Sequence, residues 1–163
     1  NQWPTGESAQ PIPAKGSASE KTNPTSGLIP LQTGALTGAE IDLMLRTLPV
    51  DVTYVDADDT VRYFSQTKDR IFQRSPAIIG RKVQNCHPPQ SLNKVQKILD
   101  DFRAGIRDHA EFWIQMGEKF VVIQYHALRD GNQKYLGTLE VSMDAAHLRS
   151  LQGERRLLDE GKI

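Results

Sequence analysis

The spacing of apolar residues becomes regular from Thr37 onward. Thr37 and Glu40 form a capping-box pattern and Pro49 stops the helix that follows, whose apolar positions are Ile41, Met44, Leu45 and Leu48. Residues 50–56 alternate and are rich in β-branched side chains, which predicts a strand. The acidic run 56–59 is typical of a turn, and residues 60–65 form the returning strand.

The middle of the chain has helical spacing, and its last third has strand spacing. A short helix is predicted over 74–80, and a longer one runs from near Pro88 to a stop at Gly105. Three strands follow, separated by short turns, and a final helix is predicted over 145–161; the strands cover 109–116, 119–130 and 134–144. Hairpins on both sides of a helical block favour an antiparallel α+β domain.

Composition indicates an N-terminal linker and limits the kinds of partner that the chain can have. Of the 163 residues, the first 34 contain nine Pro or Gly and no apolar periodicity, so residues 1–35 are predicted to be a flexible linker, and the start without Met suggests a fragment. Lys+Arg and Asp+Glu both number 20, which gives no basic excess for nucleic acid. There is no apolar run long enough for a bilayer span and no signal-peptide pattern. We therefore expect a cytoplasmic protein without nucleic-acid or membrane partners.

Three runs of the sequence resemble the PAS domain: LPVDVTYVDADDTVRYFS, SPAIIGRKVQNCHPP and YLGTLEVSMD. Within that superfamily they look like the module found at the C-terminal end of bacterial and archaeal proteins that also carry a hemerythrin-like domain. The resemblance covers about residues 37–160. It implies a PAS fold, with a five-stranded antiparallel sheet, a helical block between strands 2 and 3, and flanking N- and C-terminal helices. The sensory domain would span 36–145 and a signalling helix 146–163.

The resemblance also implies a function. PAS modules of this kind hold a small ligand or cofactor between sheet and helices and are not themselves enzymes, so we expect a sensor that passes its state to a partner domain. A structural dimerisation module without ligand, or a haem-based redox or gas sensor, remains an alternative. The implied partners are a second copy of the chain and, in the full-length protein, a hemerythrin-like domain. The candidate pocket residues are Thr53, Val55, Tyr63, Ser65, Cys86, His87, Trp113, Val122, Gln124, His126 and Leu139.

Cys86, the only cysteine, is followed directly by His87. Flavin-binding PAS domains carry a Gly-Arg-Asn-Cys-Arg-Phe-Leu-Gln run, but here three residues separate Gly80-Arg81 from Asn85-Cys86, which argues against flavin. Adjacent residues do not converge on one metal ion without further ligands, and neither CxxC nor HxxxH spacing supplies them. A haem would use His87 or His126. The favoured interpretation is local: a small hydrophobic thiol and a histidine at the start of a helix, both facing the ligand cavity.

Alternation along the last strands divides their side chains between two faces. With Gly117 and Glu118 as the turn, Trp113 opposes Val122 and Glu111 opposes Gln124. These four side chains share one face of the sheet, and the opposite face of the two strands is more apolar. We assign that apolar face outward and Trp113, Gln124 and His126 to the pocket; the opposite orientation stays open because alternation fixes pairs and not direction. On the last helix, a stripe of Leu148, Leu151 and Leu158 with flanking charges resembles the start of a coiled coil.

Overall fold

The structure is a computed structural model that describes residues 27–68 and 70–156. Two units are distinguished, with the division after Gly38. The first contains a two-stranded antiparallel hairpin, β1 (Leu28–Leu31) and β2 (Gly34–Thr37). This hairpin corrects the linker prediction over residues 28–35. The sequence signal was short and included Pro30, which an edge strand tolerates.

The second unit is the α+β domain. Helix α1 (Gly38–Thr47) precedes β3 (Asp51–Asp56) and β4 (Val61–Phe64), and two 3₁₀ turns follow at Pro76–Ile78 and Val83–Cys86. Helix α2 (Pro89–Arg103) leads into the strands β5 (His109–Met116), β6 (Lys119–Arg129) and β7 (Tyr135–Asp144). The five strands form one antiparallel sheet in the order β4-β3-β7-β6-β5. The predicted α+β architecture with its helical block is confirmed.

Helix α2 begins and ends as its sequence indicates. Pro89 occupies its first turn, where a missing N–H costs nothing. At the other end Gly105 has φ +71°, its N–H donates to Phe102 O at 3.1 Å, and the N–H of Ile106 donates to Asp101 O at 2.9 Å. These two bonds are the Schellman pattern, which needs a residue without a Cβ penalty at positive φ. The stop at Gly105 is therefore set by local chemistry.

The core lies between α2 and one face of the sheet, which we call the inner face. Around Phe102, one group of side chains joins α2 to β5, β6 and β7; it contains Ala110, Val121, Ile123, Tyr125 and Tyr135. A second group joins α2 to β3, β4 and the second 3₁₀ turn; it contains Val55, Val61, Val83, Val95 and Leu99, with Cys86 packed against it. The opposite side of the sheet, the outer face, carries Trp113, which is 61% exposed.

The final helix is much shorter than predicted. Helix α3 covers only Ala146–Ser150, Leu151 has extended backbone, and Gly153 has φ +66°. The predicted helix is thus wrong over residues 151–156, and Leu158 lies outside the described residues. One turn of helix fixes many dihedrals for few hydrogen bonds, and the positive φ of Gly153 interrupts the helical backbone. The leucine stripe does not form a helical seam between Leu148 and Leu151.

Candidate functional site

A cavity of about 350 Å³ lies between the inner face of the sheet and the start of α2. Its apolar walls come from three parts of the fold and include Phe72, Val95, Phe112, Ile114 and Ile123. Arg74, Glu140, Tyr125, His87 and Cys86 also line it. A mostly apolar concave site with a few convergent polar groups is the usual character of a small-molecule pocket.

The polar end of the cavity contains an ion pair. Arg74 Nη2 donates to Oε1 and Oε2 of Glu140 at 3.0 and 3.3 Å. The side chains are only 12% and 10% exposed, so both charges are largely removed from water. Nε of Arg74 is buried and has no hydrogen-bond partner. The two charges therefore neutralise each other, but the Nε donor of Arg74 stays unsatisfied.

Tyr125 is positioned beside this pair by strand register. It lies directly opposite Glu140 on the neighbouring strand, and β6 also presents Ile123 to the same face. Burial is the main cause that raises the pKa of Tyr125, and the negative charge of Glu140 raises it further. The phenol therefore stays protonated and acts as a hydrogen-bond donor or acceptor without charge.

His87 and Cys86 lie at the mouth of α2. Burial lowers the pKa of His87, and the positive charge of Arg74 lowers it further, although Glu140 opposes this. The imidazole is therefore neutral near pH 7. The Cys86 thiol donates to the carbonyl of Lys82 at 3.6 Å and packs against the second core group. The interpretation of Cys86 as a small hydrophobe next to the cavity fits these contacts.

A buried arginine holds the loop that carries Phe72 and Arg74. The Arg70 guanidinium donates to the backbone carbonyls of Ser65 and Phe72, and Asp51 accepts the N–H of Ile71 at 2.7 Å. Arg70 itself is 5% exposed. These bonds fix the loop to β3, so the cavity wall is built on a rigid anchor.

The face assignment of the last strands is wrong. The predicted cross-strand pairs are confirmed, with Trp113 opposite Val122 and Glu111 opposite Gln124. However, the apolar face turns inward to α2. The candidates that lie on the outer face instead of at the cavity are Tyr63, Trp113, Val122, Gln124, His126 and Leu139. The reason is that the apolar stripe of α2 buries more nonpolar area against the more apolar face.

The other candidates divide into two groups. Cys86 and His87 line the cavity. Thr53, Val55 and Ser65 are buried without lining it: Val55 belongs to the second core group, Thr53 accepts from Arg70 at 3.3 Å, and Ser65 Oγ accepts the N–H of Val52 at 2.9 Å. Their role is in the scaffold of the site.

Sequence reasoning missed the polar members of the site. Glu140 shares its face of β7 with Thr138 and Ser142, so alternation alone assigns it to the solvent side and contains no signal for its burial. Arg74 stands in an irregular segment whose pattern gave no such signal. Elsewhere in the described part of the chain, no group of three or more His, Cys, Asp or Glu side chains is arranged to hold a metal ion. None of the helices in the described residues is long and apolar enough to span a membrane.

Comparison with known proteins agrees with the fold. The family model for PAS domains matches residues 41–146, so this chain belongs to the PAS domain family. It is similar to a C-terminal domain from Streptococcus mutans, with 34% identity, a TM-score of 0.73, and coverage of 77% of this chain and 97% of that chain. A PAS domain from Colwellia psychrerythraea has 10% identity, a TM-score of 0.50, and coverage of 67% and 97%. A comparison with curated proteins gives no match. PAS domains are typical sensor modules and are generally not catalytic.

Proposed function

We propose that this chain is a cytoplasmic sensor module that binds a small, uncharged and largely apolar ligand in the inner-face cavity. The observation that carries the proposal is the unpartnered Nε of Arg74 in the cavity lining. A buried donor without a partner costs free energy, and a ligand carbonyl or ring nitrogen would satisfy it. The ligand should therefore contain at least one hydrogen-bond acceptor.

The charge balance of the cavity supports an uncharged ligand. Glu140 neutralises Arg74, and the lowered pKa of His87 keeps that imidazole neutral. A charged ligand would lose its hydration without meeting an opposite net charge. The volume of about 350 Å³ is near the lower end for ligand sites, which favours a compact molecule over a macrocyclic cofactor such as haem.

Access to the cavity is proposed along the gap between α2 and β5. A groove of about 690 Å³ follows this gap, and Pro88, Ser91, Val95, Phe112 and Ile114 line both the groove and the cavity. Phe112 and Ile114 keep 40% and 39% of their surface exposed. Such a groove gives a ligand a path from solvent without unfolding of the core.

Signal relay is proposed along β7. Glu140 lies on β7, and α3 begins shortly after the strand ends, at Ala146. The guanidinium carbon of Arg149 lies 3.8 Å from the centre of the Phe120 ring, which ties α3 to β6. A ligand that changes the position of Glu140 would therefore act on the strand that leads directly to the C-terminal helix.

The same proposal includes the subgroup to which the chain belongs and its association into a homodimer. The three sequence runs support a place in the subgroup that accompanies hemerythrin-like domains, and the exposed Trp113 supports a homodimer through the outer face. In such a dimer the ligand state of one cavity would reach a partner domain through paired C-terminal segments.

Two shape-matched probes test the ligand class. Benzamide has a neutral carbonyl acceptor, whereas benzoate has the same ring and a negative charge. We expect millimolar benzamide to shift the backbone amide resonances of Arg74, His87 and Tyr125, and benzoate to shift them much less. An equal response to both probes would contradict the charge argument.

A pair of matched variants tests the location. Ser91→Phe places a ring where α2 lines the cavity, whereas Asn93→Phe places the same ring at an exposed position of the same helix. Ser91→Phe should abolish the benzamide shifts and Asn93→Phe should retain them. Loss in both variants, or in neither, would contradict binding in this cavity. If the module binds no ligand, benzamide should cause no saturable shifts in the unaltered chain or in either variant.

A further inference from the structure

Two histidines face each other on the outer face of the sheet, away from the cavity. His109 on β5 is directly opposite His126 on β6, and their ring centroids are 4.9 Å apart with an interplanar angle of 39°. His109 is exposed and His126 is half-buried. Seventeen positions separate them in the chain, so only the pairing of β5 with β6 brings the rings together.

The separation of the rings fits two imidazoles bound to one metal ion. A zinc ion lies about 2.0–2.1 Å from a ligating imidazole nitrogen, and therefore roughly 3.2 Å from the ring centroid. Two centroids 4.9 Å apart then subtend an angle of roughly 100° at the ion. That angle lies between the values for square-planar and tetrahedral coordination. To ligate the ion, the side-chain torsions would turn one nitrogen of each ring toward a common point.

The surroundings add a favourable charge. Glu111 lies two residues beyond His109 on β5, so its side chain shares the outer face. Its Oε2 accepts from Nε2 of Gln124 at 2.6 Å, and Gln124 is two residues before His126. This bond holds the carboxylate near the two imidazoles, and the negative charge attracts a cation.

We propose that His109 and His126 form a binding site for a late first-row transition metal ion such as Zn²⁺, Ni²⁺ or Cu²⁺. Imidazole suits these ions, whereas hard ions such as Mg²⁺ prefer oxygen ligands. Because the protein supplies two ligands, water completes the coordination, and the ion exchanges with solvent. A bound ion links the edge strand β5 to β6. The site is on the opposite face from the cavity and does not depend on the proposed ligand function.

Zinc titration of the chelator-treated chain tests the site. We expect calorimetry to give one Zn²⁺ per chain, with affinity reduced at least about tenfold in His109→Gln and in His126→Gln. His147→Gln removes an exposed histidine on α3 and should leave the affinity unchanged. Backbone amide spectra without metal show whether each variant keeps the native fold.

A second measurement identifies the ligands without substitution. Long-range ¹H–¹⁵N spectra of the histidine rings in the unaltered chain should show zinc-dependent nitrogen shifts in His109 and His126. Shifts confined to His87 or His147 would overturn the proposal. Stoichiometric zinc binding that persists in the His109→Gln/His126→Gln double variant would also overturn the proposal. This holds even if a further Cys86→Ser substitution then removes that binding. Absence of zinc binding to the unaltered chain at millimolar concentration would also overturn it.

Discussion

Arg74 Nη2 contacts both carboxylate oxygens of Glu140, at 3.0 and 3.3 Å, across 66 positions of sequence. The contact joins the irregular loop before α2 to the centre of β7. It places a neutralised pair of charges at the polar end of an otherwise apolar cavity. The ligand chemistry, the stability of the cavity wall and the proposed relay all depend on this pair.

Breaking the pair on one side should be costly. Glu140→Gln leaves Arg74 as a buried cation without its carboxylate, and we expect a loss of about 3–5 kcal/mol in the free energy of unfolding. The Arg74→Met/Glu140→Leu double variant removes both charges and should recover most of that loss. Urea unfolding of the three proteins gives the comparison. A double variant less stable than Glu140→Gln would contradict the account of two mutually compensated charges.

Cys86 should behave as a small hydrophobe. Cys86→Ser places a hydroxyl against the second core group and should cost about 1–2 kcal/mol, whereas Cys86→Ala should cost less because it adds no polar atom. The benzamide-induced shifts should remain in both variants. If instead either variant keeps its stability but loses a response to peroxide that the unaltered chain shows, Cys86 has a redox role.

The lowered pKa of His87 predicts a pH dependence of stability. The unfolded chain binds the proton at the ordinary histidine pKa of 6.5, and the folded chain binds it only at lower pH. His87 therefore destabilises the fold increasingly as the pH falls below 6.5 towards its folded-state pKa. Between pH 7.5 and 5.5, the free energy of unfolding should fall more steeply in the unaltered chain than in His87→Gln. The lowered pKa of His126 acts in the same direction but is present in both proteins.

The His147→Gln variant, which also removes one histidine, is the control for this comparison. It removes an exposed histidine on α3 that does not line the cavity, and it is measured over the same pH range. Parallel curves for the unaltered chain and His87→Gln would show that burial at the cavity does not shift the titration of His87.

Gly137 should not tolerate a side chain. Its φ is +151°, and a Cβ there would lie 2.3 Å from the carbonyl oxygen of Val55 on β3. Since that neighbour is backbone, relief requires the two strands to separate, and Gly137→Ala should cost more than about 2 kcal/mol. Gly131→Ala is the control, because a Cβ at Gly131 meets no atom within 4 Å. Equal melting temperatures for the two variants would contradict the close approach of β7 to β3.

The proposed dimer should depend on the outer face. At tens of micromolar, light scattering should give twice the monomer mass, and Trp113→Glu should lower it because a charge in an apolar interface is desolvated without a partner. Asn93→Glu adds the same charge at an exposed position of α2 and should leave the mass unchanged. A monomeric mass for the unaltered chain would remove the dimer and the relay through it.

The sequence by itself determined the order of β3 to β7, the position of α2 between β4 and β5, and the pairing of β5 with β6, but neither the β1–β2 hairpin nor the end of α3. The turn at Gly117 and Glu118 fixed which residues of β5 and β6 are opposite, because a two-residue hairpin turn sets the register. Pro89 and Gly105 set the ends of α2 through backbone effects that act within one turn. Such features depend on neighbours in the chain, so the pattern of residues is enough to predict them.

Only the tertiary structure decided which face of the sheet meets α2. Alternation has a period of two and is symmetric between the faces, so Trp113 and His126 could be paired correctly with their neighbours yet assigned to the wrong side. Packing broke that symmetry, because the apolar stripe of α2 selects the face with the larger nonpolar area. The Arg74–Glu140 contact joins chain segments 66 positions apart in sequence. Its formation depends on the packing of the whole domain, which no local pattern encodes.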